Sequence, residues 1–462
     1  MYKRSAKAAL RTKLLPHQQR VLDKLRKQTG LLVAHGLGSG KTFASIAAAS
    51  EAPGNTEVLA PASLVANYEK EMKKHLRRKP KMKVRSAQGA ALRGERRPAS
   101  LLIVDEAHRA RETSTKLHQL LKNYPADKKM LLTATPVYNR PSDIAPLVNI
   151  VAQEKVLPYG TDFDYRYVQK PSKSLLRAVF MGKDVTKIKN KSQLQGLLNK
   201  WVDYHKAEGA DYPDRIEETI DVPMDKHQTE LHDFAWGKLP LLSRMRLKAG
   251  LPPSKQELPA INRGFQAQTR QLSGTTKQFG GKSGLTPKLQ RALDDLQSKE
   301  KANPDHRAVV YSNYLDTLGD YSNELESKGI SHGIFTGKVS QKKRKQMVED
   351  YNSGRLKALL ISSAGGEGLD LKGTRQVQVL EPHWNEEKLD QVIGRAVRQG
   401  SHSHLPKKER NVTVQRYLTY PKPGMLDRMF KNEPMGVERV LANMSADKKA
   451  LNAQLLELME QR

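Results

Sequence analysis

Short apolar runs punctuate the chain, each bounded by turn residues: Leu31–Ala34, Val58–Ala60, Leu101–Val104, Met130–Leu132, Ala308–Tyr311, Ala358–Ile361 and Val377–Leu380. Runs this short fit parallel strands buried on both faces. Segments with helical spacing of apolar residues lie between many of them, such as Ser63–Leu76 and Gln341–Asn352. This alternation predicts an α/β fold with parallel sheets. The runs fall into two groups, one before about residue 140 and one after about residue 305, so two α/β lobes are expected.

Between the groups the pattern changes. Residues 150–235 carry helical candidates such as Gln193–His205 and few strand runs. Residues 236–288 hold ten Lys or Arg and one acid, Glu257, and are rich in Gly, Pro, Ser, Thr and Gln. That composition reads as an irregular basic connector or a solvated loop. A helical pattern returns after about residue 425, with Leu441, Leu451, Leu455 and Leu458 available for a packing stripe. The expected division is a first lobe at 1–150, a helical insert and basic connector at 151–284, a second lobe at 285–424 and a helical tail at 425–462.

Charge adds what patterning does not. Among 462 residues, 80 Lys plus Arg outweigh 49 Asp plus Glu, for a formal charge of +31. A chain this basic meets a polyanion, nucleic acid first, with an anionic membrane surface or a ribosome-like assembly as alternatives. Cysteine is absent, which excludes disulfides, thiol nucleophiles and Cys-ligated metal centres. No apolar run reaches the roughly 18 residues of a membrane span. The basic N-terminus lacks a following apolar stretch, so it is not a secretory signal. The expected setting is intracellular, cytoplasmic or nucleic-acid-associated.

The richest chemistry lies at Leu31-Leu32-Val33-Ala34-His35-Gly36-Leu37-Gly38-Ser39-Gly40-Lys41-Thr42. It reads as strand, glycine-rich loop and helix. Gly36, Gly38 and Gly40, with Ser39, let backbone N–H groups wrap a phosphate chain, and the helix N-terminus adds its dipole. Lys41 is placed to reach the outer phosphates and Thr42 to bind magnesium. His35 stands where the strict pattern has its first glycine.

A second element is Leu101–Val104 followed by Asp105-Glu106-Ala107-His108. Ligands bind at the carboxyl ends of strands in α/β sheets. Asp105 suits magnesium, and Glu106 suits orienting and deprotonating an attacking water. His108 lacks the partner spacing of a metal ligand and reads as a hydrogen-bonding link. In a third element, at 100° per residue, Leu389, Val392, Ile393, Ala396 and Val397 share one helical face. Gln391, Arg395 and Arg398 share the other. Two guanidiniums aimed together suit a phosphate chain.

In order and context these pieces resemble the superfamily 2 helicases and translocases, whose two RecA-like lobes close on ATP. The sequence Leu131-Leu132-Thr133-Ala134-Thr135-Pro136 resembles the motif that couples ATP state to nucleic-acid grip, which implicates Thr133 and Thr135 with His108. Pro16-His17-Gln18 is similar to the adenine-reading motif, with Gln18 as the reader. Pro61-Ala62-Ser63-Leu64 followed by Tyr68-Glu69 resembles motif Ia of the Swi/Snf branch, which touches the strand backbone.

In the second lobe, Val309–Tyr314, Phe335-Thr336-Gly337-Lys338, Ser362–Leu371 and Glu381–Asn385 match the later motifs in order. The resemblance spans about residues 14–140 and 285–420. It also takes in Asp214–Gln228, which is similar to the segment closing the first lobe in Swi/Snf relatives. It implies Gly368, Asp370 and Gln391 at ATP, and Ser63, Thr336 and Ser363 on the nucleic acid.

Departures point to a sub-branch. Ala34-His35 replaces an acidic pair, and Ser401-His402-Ser403-His404-Leu405-Pro406 follows the last motif. Both features are similar to the nucleoside triphosphatases and helicases of large DNA viruses and phages, which implies viral transcription or replication partners. His402 and His404 lack a third ligand and read as loop. The expectation is an ATP- and magnesium-dependent translocase on duplex DNA. Two alternatives stay open: a strand-separating DNA or RNA helicase of the same fold, and a basic transcription or packaging subunit using ATP as a clamp.

Overall fold

A computed structural model of the protein describes residues 10–36, 38–77, 80–137, 139–169, 186–206, 212–248, 267–277, 285–337, 339–362, 371–381, 387–397, 400–422 and 436–461. The chain forms two compact units. Unit 1 comprises Met1–Lys170, Thr186–Glu208 and Lys448–Arg462, and unit 2 comprises Pro171–Val185 and Gly209–Asp447.

Unit 1 runs α1 (Pro16–Lys27), β1 (Gly30–His35), α2 (Lys41–Glu51), β2 (Thr56–Ala60), α3 (Val65–His75), β3 (Met82–Ser86), α4 (Ala87–Arg93) and β4 (Ala99–Val104). It continues with α5 (Lys116–Lys122), β5 (Ala126–Thr133), α6 (Ile144–Ala152), α7 (Gly160–Tyr167), β6 (Val168–Gln169), β7 (Lys187–Ile188), α8 (Lys191–Trp201) and β8 (Val202–His205). Six strands form a sheet in the order β3-β2-β4-β5-β1-β8, with every pairing parallel. Strands β6 and β7 make a separate antiparallel pair.

Alternate residues of a strand face opposite sides of its sheet, and both sides are packed here. Leu32, Ala34, Leu102 and Val104 meet Ile144, Leu147 and Val148 of α6. Leu31, Val33, Leu101 and Ile103 meet Val21, Leu22 and Leu25 of α1 and Ile46 and Ala47 of α2. This two-sided burial is why the apolar runs are continuous rather than alternating. Alanine-rich α2 combines high helix propensity with a small cross-section against the sheet.

Unit 2 runs β9 (Asp214–Pro223), α9 (Lys226–Gly237), α10 (Leu241–Lys248), α11 (Ala267–Gly274), α12 (Pro287–Ala302), β10 (Ala308–Ser312), α13 (Leu315–Ser327) and β11 (His332–Phe335). It ends with α14 (Gln341–Asn352), β12 (Ala358–Ser362), β13 (Gln376–Val379), α15 (Glu387–Ala396) and β14 (Asn411–Tyr420). Its sheet also has six strands, ordered β11-β12-β10-β13-β14-β9 and parallel throughout. Helix α12 starts where local chemistry directs: the Thr286 side chain accepts from Leu289 N, and Pro287 takes the first helical position.

Helix α16 (Val437–Glu460) ends the described chain. Its Glu438 is buried in unit 2 against Lys288, with Nζ at 2.7 and 2.8 Å from the carboxylate oxygens. Lys288 Nζ also donates to Leu380 O at 2.7 Å, and Glu438 accepts from Thr419 N at 2.6 Å. In unit 1, Leu455, Leu458 and Met459 join the core.

Three expectations change. The helix expected over Gln193–His205 stops at Trp201, and Val202–His205 becomes β8 beside β1. Asp214–Gln228 does not close the first lobe: Asp214–Pro223 pairs residue for residue with Asn411–Tyr420 in the second sheet. The stretch 236–288 is not wholly irregular, since it carries α10, α11 and the start of α12. Among the described residues, no helix is long and apolar enough to cross a membrane.

Candidate nucleotide site

Parallel pairing puts the carboxyl ends of β1, β2, β4 and β5 on one edge of the unit 1 sheet. From that edge emerge the glycine loop, Pro61–Leu64, Asp105-Glu106 and Thr133–Thr135. The topology therefore collects at one rim what the sequence spreads over about a hundred residues.

The glycine loop is left-handed where it turns. Gly38 has φ 79° and Gly40 φ 74°. A Cβ at Gly40 would also run into the Gln18 amide nitrogen. Lys41 and Thr42 open α2 and are half-buried. Lys41 Nζ is turned into the loop, donating to His35 O at 2.7 Å and Gly36 O at 2.9 Å. Burial pushes its pKa down to about 8, against the pull of Glu106 and Asp105, which favour the cation. Ser39 Oγ donates to Gly36 O at 2.8 Å, which folds the loop on itself.

Asp105 follows β4. Burial, then the neighbouring Glu106 charge, raises its pKa to about 6, opposed by Lys41 and His108. A carboxylate in that position is better ionised beside a divalent cation, and the Thr42 hydroxyl and Asp105 form a hard oxygen donor set. The donor chemistry therefore fits magnesium. Glu106 sits at φ 51°, a left-handed backbone that is uncommon for a side-chain-bearing residue. It turns back so that Oε2 is 3.2 Å from His108 Nδ1. Thr133 Oγ1 approaches the same nitrogen at 3.5 Å and accepts from Thr135 N at 3.0 Å. Asp105-Glu106, His108, Thr133 and Thr135 thus form one connected group.

Gln18 is buried, and its amide is engaged within the protein. Its Oε1 accepts from Leu15 N at 2.9 Å, and its Nε2 donates to Ser39 O at 3.1 Å. His17 Nε2 also meets Ser39 O, at 2.8 Å. Ser63 is exposed in the 3-10 turn after β2.

Of the unit 2 candidates, Thr336 follows β11 and its carbonyl accepts from Arg344 at 2.9 Å. Ser363, Gly368, Asp370 and Arg398 lie outside the described residues, as do the side chains of Gln391 and Arg395. The face expected to pack does so: Leu389, Val392, Ile393 and Ala396 are buried in the unit 2 core, with Val397 against it.

Sequence reasoning missed the group behind the loop. Asp203 of β8 is fully buried. It takes His35 Nε2 at 2.7 Å, Arg20 Nε at 2.8 Å and Arg20 Nη2 at 2.9 Å, with Lys24 Nζ at 3.4 Å. Burial raises its pKa, but the hydrogen bonds from His35 and Arg20 and the charges of Arg20 and Lys24 together hold it well below the usual carboxylate range. His35 explains part of this: a histidine ending a buried strand needs a partner. The location of that partner had no sequence signal.

A SNF2-related domain matches residues 92–247, and a helicase conserved C-terminal domain matches residues 288–400. A protein of Acanthamoeba polyphaga mimivirus, named as an ATP-dependent RNA helicase, is 32% identical over 87% of this chain and 88% of its own length. The ATP-dependent helicase YqhH of Bacillus subtilis is 25% identical over 90% of this chain and 79% of its own. A termination factor NPH-I homolog of African swine fever virus is 32% identical over 32% of this chain, which is 21% of that relative. Among solved structures, the Pyrococcus furiosus Hef helicase domain matches with 16% identity and a TM-score of 0.49, over 90% of this chain and 97% of its own. The Sulfolobus solfataricus SWI2/SNF2 ATPase core in complex with dsDNA matches with 16% identity and a TM-score of 0.37, over 98% of this chain and 96% of its own.

Proposed function

The chain belongs to the SNF2-related ATP-dependent helicases, nucleic-acid-dependent ATPases with two RecA-like lobes, and from that premise we propose that it is a translocase driven along duplex DNA by ATP hydrolysis. The observation that carries the ATP half is the rim of unit 1, where the glycine loop with its left-handed Gly38 and Gly40, Lys41 and Asp105-Glu106 all emerge at the carboxyl ends of parallel strands. A phosphate chain entering the loop draws Lys41 Nζ from the His35 and Gly36 carbonyls to its own oxygens. Gly36, Gly38, Ser39 and Gly40 supply backbone donors, and Gln18 reads the adenine edge.

The Thr42 hydroxyl and Asp105 would hold magnesium, which when bound would neutralise charge on the outer phosphates. Glu106 orients the attacking water and takes its proton as the bond to the terminal phosphorus forms and ADP leaves. His108 keeps the Glu106 carboxylate aimed. On the motif resemblance, Arg395 and Arg398 are assigned to the charge on the transferring phosphoryl group, and Gly368, Asp370 and Gln391 to the nucleotide. On the same resemblance, His108, Thr133 and Thr135 are assigned to coupling the state of that phosphate to nucleic-acid grip, and Ser63, Thr336 and Ser363 to the grip itself.

The SNF2-related match and the motif Ia pattern at Pro61–Leu64 support duplex DNA. A second reading, RNA, is favoured by the name of the mimivirus relative. The test is ATPase activity with single-stranded DNA, duplex DNA and RNA, each at two salt concentrations. Strongest stimulation by duplex DNA is expected, and stimulation by RNA alone replaces the first reading with the second. A triplex-displacement assay beside a strand-displacement assay then separates translocation from unwinding.

A further inference from the structure

We propose that Asp203 is a positioning residue of the nucleotide site, fastening the first position of the glycine loop to the helix that carries Gln18. The inference rests on the assignment of that loop to ATP and deepens it. A glycine at the start of such a loop has no side chain by which to be held. Here the position is His35, whose ring is fully buried. Its Nε2 is 2.7 Å from Asp203 Oδ1, while its Nδ1 is buried with no hydrogen-bond partner. Asp203 is an acceptor, so the proton belongs on Nε2 and the bare lone pair on Nδ1.

The other arm of Asp203 is Arg20 of α1, bound through both Nε and Nη2. Such a two-point grip fixes orientation as well as distance. Arg20 Nη2 also donates to Tyr204 O at 3.1 Å, and Lys24 Nζ to Val202 O at 2.8 Å. Helix α1 is therefore riveted along β8.

One turn earlier, the same helix presents His17 and Gln18 to Ser39 O. His17 stacks on His205 with centroids 4.0 Å apart, and the His35 ring meets both edge-on at 5.5 Å. Gly36 N donates to His205 O at 2.9 Å. The loop is thus held at its first residue through Asp203 and at Ser39 through α1, and the Lys41 ammonium rests on the carbonyl of the clamped residue. Preorganisation of this kind acts on nucleotide binding, because a loop already in place loses little freedom when phosphates arrive.

Steady-state ATPase kinetics at saturating nucleic acid, on the full chain, test the assignment. Asp203→Asn keeps the shape and removes the charge. It should raise the KM for ATP about tenfold, as for loss of a buried charged hydrogen bond, with kcat changed by less than about threefold. Arg20→Gln, at a partly exposed side chain, should move KM in the same direction by less.

His35→Gly restores the glycine of the strict pattern and removes the ring that Asp203 holds. In that background Asp203→Asn should cost clearly less than in the wild type. A Tm change with KM untouched overturns the proposal, as does an equal KM rise in both backgrounds. Should Asp203→Asn fail to fold, Arg20→Gln with and without His35→Gly gives the same cycle. Wild-type turnover that Lys41→Ala abolishes secures the ATP assignment separately, so a negative Asp203 result then counts against the positioning role alone.

Discussion

Glu106 Oε2 stands 3.2 Å from His108 Nδ1, two residues along the same turn. Glu106 has a left-handed backbone at this turn, and the imidazole lies within hydrogen-bond reach of its carboxylate. Glu106→Gln keeps the shape but cannot take a proton. It should bind a fluorescent ATP analogue normally while phosphate release falls by about a hundredfold to ten-thousandfold. Loss of binding in parallel with turnover would place Glu106 in nucleotide binding instead.

Lys41 offers the complementary result. Lys41→Ala removes the ammonium that rests on the His35 and Gly36 carbonyls. ATP turnover should drop by about a hundredfold or more, while anisotropy measurements find duplex affinity largely intact.

Burial holds the Lys41 pKa down to about 8 before nucleotide arrives. The cation is the form that attracts phosphates, so it dominates below pH 8 and is lost above. ATP affinity should therefore weaken as pH rises from 7 to 9, by up to about tenfold per unit past the pKa. Titrations of a fluorescent nucleotide across that range check it. Lys41→Arg stays charged throughout and should show a flat profile.

The formal charge of +31 predicts a salt effect on one activity more than another. Phosphate contacts release counterions, so duplex affinity should fall steeply and linearly on a log–log plot against salt. ATPase activity at saturating DNA should change less over the same range. A shallow binding slope would assign the charge to another partner.

In unit 2, the Lys288–Glu438 pair is fully buried. Lys288→Met leaves that carboxylate without its cation and should destabilise the unit by about 3 kcal/mol in urea unfolding. Adding Glu438→Gln, which keeps an acceptor for Thr419 N, should recover much of the loss.

The central strands were legible because two-sided burial demands apolar residues at every position, as in Leu31–Ala34 and Leu101–Val104. In the two six-stranded sheets, the strands that escaped notice are β3, β8, β9 and β11, the four sheet edges, together with β14 beside β9; the two-residue β6 and β7 are too short to carry a pattern. An edge strand has one unpaired side and need not be apolar throughout. Met82–Ser86 and Val202–His205 alternate or carry charge accordingly. The same reasoning separates the site residues. Lys41, Asp105 and Glu106 lie in compact local patterns that a linear reading can find. Asp203 meets His35 and Arg20 only because β8 adds to the sheet next to β1, a long-range event with no local signature.

Residues 454–461 return to unit 1, where Leu455, Leu458 and Met459 enter the core, Ile188 N donates to Gln454 Oε1 at 3.0 Å, and Gln195 Nε2 donates to Gln461 O at 2.7 Å. On the ribosome, the first sheet emerges early yet waits for its last packing helix until the whole second sheet has been made. Its unfinished apolar face must be shielded for that interval, which makes this half of the chain a natural client for a holding chaperone. Expressing 1–208 alone should give a poorly soluble product, and a separate peptide covering α16 should rescue it in trans.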